Sequence, residues 1–204
     1  MSAQVLSVSL PSEIIYVSGT VNGTAYTWTL IGGAWTATVE RAADDTYIVA
    51  LTAVTAAGVS TNYSLTLYYG LLSLITDRTR ADVANQTDKG FYNASDLNRV
   101  GAAVEYIAGR FTALGYACPV TVKKDWLTSD APTQRQMETY RQNIVTLRGQ
   151  IAVMQSTPEA PASMTGLNYV KANNIEQILL DLDALIDKLI KSWYFSGELY
   201  AGEV

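Results

Sequence analysis

Few residues of this chain could do chemistry, and they are dispersed. Asp181, Asp183 and Asp187 lie close together near the C-terminus, and Asp183 and Asp187, four apart, would share a helix face. Such carboxylates suit acid–base work or a divalent cation. Here Leu182, Leu185 and Ile186 run between them, and the sequence holds no histidine. The commonest general base, the Ser-His and Cys-His nucleophile pairs and the commonest metal ligand are thereby removed. A solvated acidic helix face is the expectation. Asp44 and Asp45 form a second acidic pair, but calcium takes roughly six to eight oxygens and few acids stand nearby, so a plain turn is expected there. Cys118, in Tyr116-Ala-Cys-Pro119, is the lone cysteine and has no adjacent base. It permits no intrachain disulfide and no cysteine zinc site, and reads as a small buried or half-buried residue. Two carboxylates could in principle cleave a glycosidic bond, yet no acidic pair stands in a loop able to form a cleft. No catalytic residue, cofactor site or metal ligand follows, and a non-enzyme is expected.

The elements that would position any site fall into two blocks. Up to about Leu71, apolar and polar residues alternate with period two, as in Thr24-Ala-Tyr-Thr-Trp-Thr-Leu30. Beyond it they recur every three or four positions, as in Ile175, Ile178, Leu179, Leu182, Leu185, Ile186 and Leu189. Alternation buries one face of a strand, and the longer spacing one stripe of a helix. Contiguous blocks of each kind imply an α+β chain of two modules, 1–70 and 71–204. In the first module, strands are predicted at 5–10, 13–18, 25–30, 35–40, 47–54 and 61–69, with a seventh possible. Asn22-Gly23, Gly32-Gly33, Asp44-Asp45 and Ala57-Gly58 punctuate them as turns. That spacing implies a small antiparallel β-sandwich. Trp35, Ala37 and Val39 should face inward, as should Tyr47, Val49, Leu51 and Ala53. Aromatics at strand spacing are more often core than a sugar platform.

In the second module three long helices should form a bundle. Asn93-Ala-Ser-Asp96 caps the first, with Leu97, Val100, Val104, Ile107, Phe111 and Leu114 as its stripe and Gly115 as its stop. The second opens near Asp130-Ala-Pro-Thr133 and carries Met137, Tyr140, Ile144, Leu147, Ile151 and Met154 in a coiled-coil-like seam. The third runs over about 168–193, and a Thr79–Asp82 cap suggests a further short turn. Between helices, Lys123, Lys124 and Asp125 read as solvated and Trp126 as a plug for the bundle end. The third helix's apolar stripe is wider than three short helices need, which suggests a further partner. Ile178, Leu182, Ile186 and Trp193, with Tyr200 in a Gly-interrupted tail, are the candidate interface.

The balance of 14 basic and 19 acidic residues, in mixed order, argues against nucleic acid. No apolar run reaches the roughly 20 residues of a membrane span, and Met1-Ser-Ala-Gln4 opens no signal peptide. A soluble product made in a cytoplasm is expected, with the sequons at Asn22, Asn62 and Asn93 accidental.

Two sets of strings carry a resemblance. The stretch 47–61, Tyr-Ile-Val-Ala-Leu-Thr-Ala-Val-Thr-Ala-Ala-Gly-Val-Ser-Thr, resembles the late strands of bacterial immunoglobulin-like domains, with Thr55 and Val59 where those carry Asp and Asn. The strings 74–83, 89–106, Lys124-Asp-Trp126, Thr165-Gly-Leu-Asn-Tyr169, 172–180 and 196–203 resemble a module of tail-associated proteins from phages and prophages of Gram-positive bacteria. Relatives often carry a Trp-rich insert where only Ala84 to Asp88 stands here. The resemblance implies a virion structural protein of the tail or baseplate, synthesised in the host cytoplasm. Its helical module would mediate assembly with other virion proteins and with itself as a homo-oligomer, and its sandwich would serve display or spacing. The alternative is a host-surface glycan-binding module of a tail fibre. No catalytic residues, cofactor or metal come with it.

Overall fold

The computed structural model describes residues 3–42, 46–69 and 74–197, with side chains through Ser192. The break at Leu71 and the Asp44-Asp45 turn lie outside the described residues. Among the described residues the fold is α+β: seven antiparallel strands and four α-helices. The strands are β1 (Ala3–Val8), β2 (Ile14–Val21), β3 (Thr24–Thr27), β4 (Thr29–Ile31), β5 (Ala34–Glu40), β6 (Thr46–Thr55) and β7 (Ser60–Tyr68). The helices are α1 (Arg80–Ala84), α2 (Ala94–Ala113), α3 (Gln134–Arg148) and α4 (Tyr169–Gly197), with a single 3-10 turn at Asp88–Gly90.

The chain divides into two compact units that do not follow the order of the sequence. The first comprises Met1–Ser73, Phe91–Ala103 and Lys123–Pro132; the second comprises Leu74–Gly90, Val104–Val122 and Thr133–Val204. Helix α2 therefore begins in the first unit and ends in the second.

In the first unit the strands make two sheets, of order β1-β5-β4 and β3-β2-β6-β7. Asn22-Gly23 and Gly32-Gly33 all take positive φ, from 49° to 86°, as two-residue hairpin turns require. β3 and β4 are one extended run interrupted at Trp28. Its first half pairs with β2 and its second with β5, so the chain changes sheets there. Trp28 is buried at that switch. Leu6 and Val8 of β1 and Trp35, Ala37 and Val39 of β5 share one core with Val17, Tyr47, Val49, Leu51, Leu65 and Leu67 of the other sheet. Gly19 faces Leu51 across the β2–β6 ladder, and a Cβ there would stand 2.7 Å from a Leu51 methyl. Tyr47 has no exposed surface; its hydroxyl accepts from the Ala42 N–H at 3.0 Å, and its ring meets Tyr69 edge-on.

Two segments from beyond the strands complete this unit. Leu127 enters the strand core itself. Asp125, expected in solvent, is buried and accepts from the Ser9 N–H at 2.5 Å and from Lys123 at 2.9 Å. Burial opposes its charge, but the bonds to Lys123 and Ser9 prevail and hold its carboxyl below the usual range. Trp126 belongs to this unit, where its backbone is gripped by Asn98 near the start of α2.

The second unit is helical. Thr79 and Asp82 form a capping box that starts α1, and Thr133 and Gln136 form another that starts α3. The start of α3 thus falls at Thr133 and not at Asp130, whose carboxylate instead accepts from the Leu127 N–H within the first unit. α3 packs against α4. It ends at Gly149, so Ile151 and Met154 lie beyond the helix that their spacing predicted. Arg148 turns away there, donating to the Pro158 carbonyl and pairing with Glu159. α4 continues through Gly197, past the predicted end; residues 198–204, the remainder of the tail, lie outside the described residues.

Candidate functional site

The structure places the sequence-derived interface residues mostly in the interior. Ile178, Leu182 and Ile186 are each 0% exposed, so they belong to the chain's own core and present no surface to a partner. Trp193 lies within α4, its side chain outside the described residues, and Tyr200 lies outside them altogether. Of the α4 stripe, Ile175, Ile178, Leu179, Leu182 and Ile186 are buried, while Leu185, Leu189 and Ile190 keep partial exposure.

The three aspartates of α4 do not converge on an open site. Arg110, from the C-terminal half of α2, bonds Asp183 and stands 2.5 Å from Asp187, while Asp181 accepts from Gln177. The Arg110 guanidinium holds the Asp187 carboxyl below its usual value. Partial burial works against the charge of Arg110, but the bonds to Asp187 and Asp183 outweigh it and raise its pKa. Cys118 is half-buried, and burial pushes its thiol up, away from the nucleophilic thiolate. Among the described residues no group of three His, Cys, Asp or Glu is placed to hold a metal, and no helix is long and apolar enough to cross a membrane. Trp28 and Trp35 are buried, leaving Tyr16 as the well-exposed aromatic among the described strands.

Among the described residues two buried polar clusters stand out, and the sequence expectations included neither. In the second unit, Glu176 is 0% exposed on the inner face of α4. It accepts from the Arg78 guanidinium at 2.7 Å and from the Ile75 N–H at 2.6 Å. Arg78 donates in turn to the Ile75 carbonyl at 2.7 Å, and Asn173 bonds both the N–H and the carbonyl of Arg78, at 3.0 and 2.9 Å. The segment before α1 is thus strapped to α4 by four bonds, and the bond from Arg78 to the Ile75 carbonyl braces the segment itself. In the first unit, the fully buried Asn98 donates to the carbonyls of Thr66 and Trp126, each at 3.0 Å, and accepts from the Trp126 N–H at 2.6 Å. Arg99 and Asp96, both buried, pair beside it at 2.5 Å. A signal for Glu176 did exist: it is a charged residue set between Ile175 and Ile178 on an apolar stripe. Nothing local marks Arg78 or Asn98.

One cleft, of about 440 Å³, lies wholly within the first unit. Ser64, Leu65 and Thr66 of β7 form one side, Tyr92 to Ser95 with Leu97 at the start of α2 another, and the loop from Trp126 to Pro132 the third. Leu65, Leu97, Trp126 and Leu127 supply an apolar floor, and Lys123 lies 5.0 Å from the Trp126 ring centre. Asn93 caps α2, accepting from Ser95 and Asp96, while Asp96 accepts from the Asn93 N–H. The Ser95 and Asp96 amides in the first turn of α2 are thereby occupied by the chain itself. Comparison of the chain with family models, with curated proteins and with solved structures yields no match.

Proposed function

We propose that this chain is a non-enzymatic structural protein of a phage tail or baseplate, its helical part mediating assembly and its strand part serving display or spacing. One observation carries the proposal. The strings that resemble the phage tail module supply the two buried polar clusters: Arg78 from 74–83, Asn98 from 89–106, Trp126 from 124–126, and Asn173 and Glu176 from 172–180. The residues with chemical potential are engaged in holding segments together, as a framework protein requires. A virion location, partner virion proteins and a homo-oligomeric state belong to the same proposal.

The finer architecture belongs to it as well. The strand part is an immunoglobulin-like sandwich lacking its first strand: β1-β5-β4 and β3-β2-β6-β7 correspond to B-E-D and C′-C-F-G. Tyr47, near the start of the strand corresponding to F, bonds the backbone five residues upstream, as in a tyrosine corner. In the second unit, α3, α4 and the C-terminal half of α2 form a three-helix bundle, supported by the packing of α3 on α4 and by Arg110 bridging α2 to α4.

Light scattering on the purified chain, alone and mixed with the other tail proteins encoded beside its gene, tests the function. An assembly mass above that of the monomer is expected in at least one of these mixtures. A monomer mass unchanged throughout would refute an assembly role, and a gene neighbourhood without virion genes would refute the tail assignment.

A further inference from the structure

We infer that the cleft beside β7 is a binding site for a neutral saccharide. The inference is independent of the virion proposal and draws on different residues from the interior aromatics of the sheets. The cleft's volume of about 440 Å³ falls within the range of roughly 300–1,000 Å³ typical of small-ligand sites. Its chemistry is that of an amphiphilic, uncharged guest. The floor of Leu65, Leu97, Trp126 and Leu127 is apolar, and the rim carries Ser64, Thr66, Asn93, Thr128 and Asp130.

Those rim groups are available. The hydroxyls of Ser64, Thr66 and Thr128 and the Asn93 amide nitrogen have no hydrogen-bond partner among the described residues. Asp130 places Oδ2 on the Leu127 N–H at 3.1 Å and 3.5 Å from Lys123, so its other oxygen can accept from a guest. Hydroxyls, an amide and a carboxylate that retain bonding capacity above an apolar floor match the alternating C–H and O–H faces of a sugar ring. Charge selects against anions. No Lys or Arg lines the cleft among the described residues, the Asp130 carboxylate stands there 3.5 Å from Lys123, and Asn93 Oδ1 already takes the Ser95 and Asp96 amides in the first turn of α2.

The test uses the full chain, with saturation-transfer NMR and calorimetry against glucose, galactose, N-acetylglucosamine and its β-linked disaccharide, and with inorganic phosphate as an anionic control. At least one of the four saccharides should bind at millimolar strength or better. Ser64→Tyr, a substitution at an exposed position that fills the cleft, should abolish that binding while circular dichroism stays unchanged. Thr128→Trp serves the same purpose from the opposite wall should Ser64→Tyr disturb the fold. Asp130→Asn keeps the acceptor for Leu127 but loses the charge, and should weaken binding roughly tenfold. Failure of all four saccharides to bind would overturn the inference, as would phosphate binding in their place. Sugar binding that survives a folded cleft-filling variant would place the site elsewhere and overturn it too.

Discussion

Removing Glu176 is the sharpest perturbation this structure offers. The Arg78 side chain is 2% exposed and Glu176 is 0% exposed, so neither charge can recover water when its partner is lost. In Glu176→Ala a buried guanidinium loses its counter-charge and the Ile75 N–H loses its acceptor. Breaking a buried pair from one side typically costs about 3–5 kcal/mol. For a chain of this length each kcal/mol moves the melting temperature by about 2–4 °C, so the midpoint of the helical transition should fall by about 6–20 °C. Glu176→Gln keeps the shape and one carbonyl acceptor and should cost less, about 1.5–3 kcal/mol, the worth of a hydrogen bond to a charged group. The double variant Arg78→Met with Glu176→Leu leaves no unpaired charge. It should therefore be less damaging than the sum of its single changes by about 1–3 kcal/mol. Urea unfolding followed at the helical circular dichroism band measures all of these. Trypsin provides an independent reading, because the strap protects the backbone at Arg78: cleavage there should be slow in the parent chain and fast in Glu176→Ala. A Glu176→Ala variant within about 0.5 kcal/mol of the parent, or strictly additive single changes, would refute the clamp.

Further consequences follow from the same packing. Leu127→Ala should destabilise the strand unit by about 2–5 kcal/mol, the cost of emptying a buried leucine site; near-UV circular dichroism from Trp28 and Trp35 should lose its signal at lower urea. The strands alone, residues 1–70, should then fold poorly, since Leu127 and the Asp125 contact to Ser9 come from outside them. Thr157→Val should stabilise by roughly 1 kcal/mol, because the buried Thr157 hydroxyl has no hydrogen-bond partner among the described residues; a loss of stability in chemical denaturation would count against this. Asp125 gives the acid limb of stability a sign. Its folded-state pKa lies below the unfolded one, so its contribution is fully present above the usual aspartate range and declines as pH falls through the folded value. In Asp125→Asn, urea midpoints measured from neutral pH down to pH about 3 should show a shallower fall than in the parent.

What was legible in the sequence was local. Asn22-Gly23 and Gly32-Gly33 announced their hairpins because few other pairs accept two positive φ angles in succession. The alternation at Trp35, Ala37 and Val39 fixed a buried face because a strand has only two faces. The Thr79–Asp82 cap was legible because its two bonds close within four residues. Apolar spacing misled where it ran on without the helix. Ile151 and Met154 keep the rhythm of α3 and remain partly buried, but Gly149 ends the hydrogen-bond ladder and Arg148 bonds the returning loop. Three of the five interface residues were misplaced for a related reason. A wide stripe says how much apolar surface must be covered, not whether the cover comes from the same chain, and for Ile178, Leu182 and Ile186 none of it is left exposed. The bonds that join distant segments, Ser9 to Asp125, Arg78 to Glu176 and Asn98 to Trp126, span 116, 98 and 28 residues, beyond any local pattern.

These long-range bonds also fix the identity of individual residues more tightly than apolar packing does. An apolar core position tolerates exchange among residues of similar volume at modest cost, usually below about 1.5 kcal/mol. A buried Arg78 or Asn98 does not, because each substitution strands a partner whose own desolvation has already been incurred. Asn98 shows the constraint most plainly: with the donor and acceptor of a single amide it satisfies two carbonyls and one N–H, drawn from β7 and from the loop at Trp126. Aspartate would lose both donors, leucine all three bonds, and glutamine would place its amide one methylene too far out. The identity of Asn98 is therefore dictated by geometry alone, and so is that of Glu176, which must reach both Arg78 and the Ile75 amide. Arg78, Asn98 and Glu176, all buried, mark where backbone segments distant in sequence are fastened together.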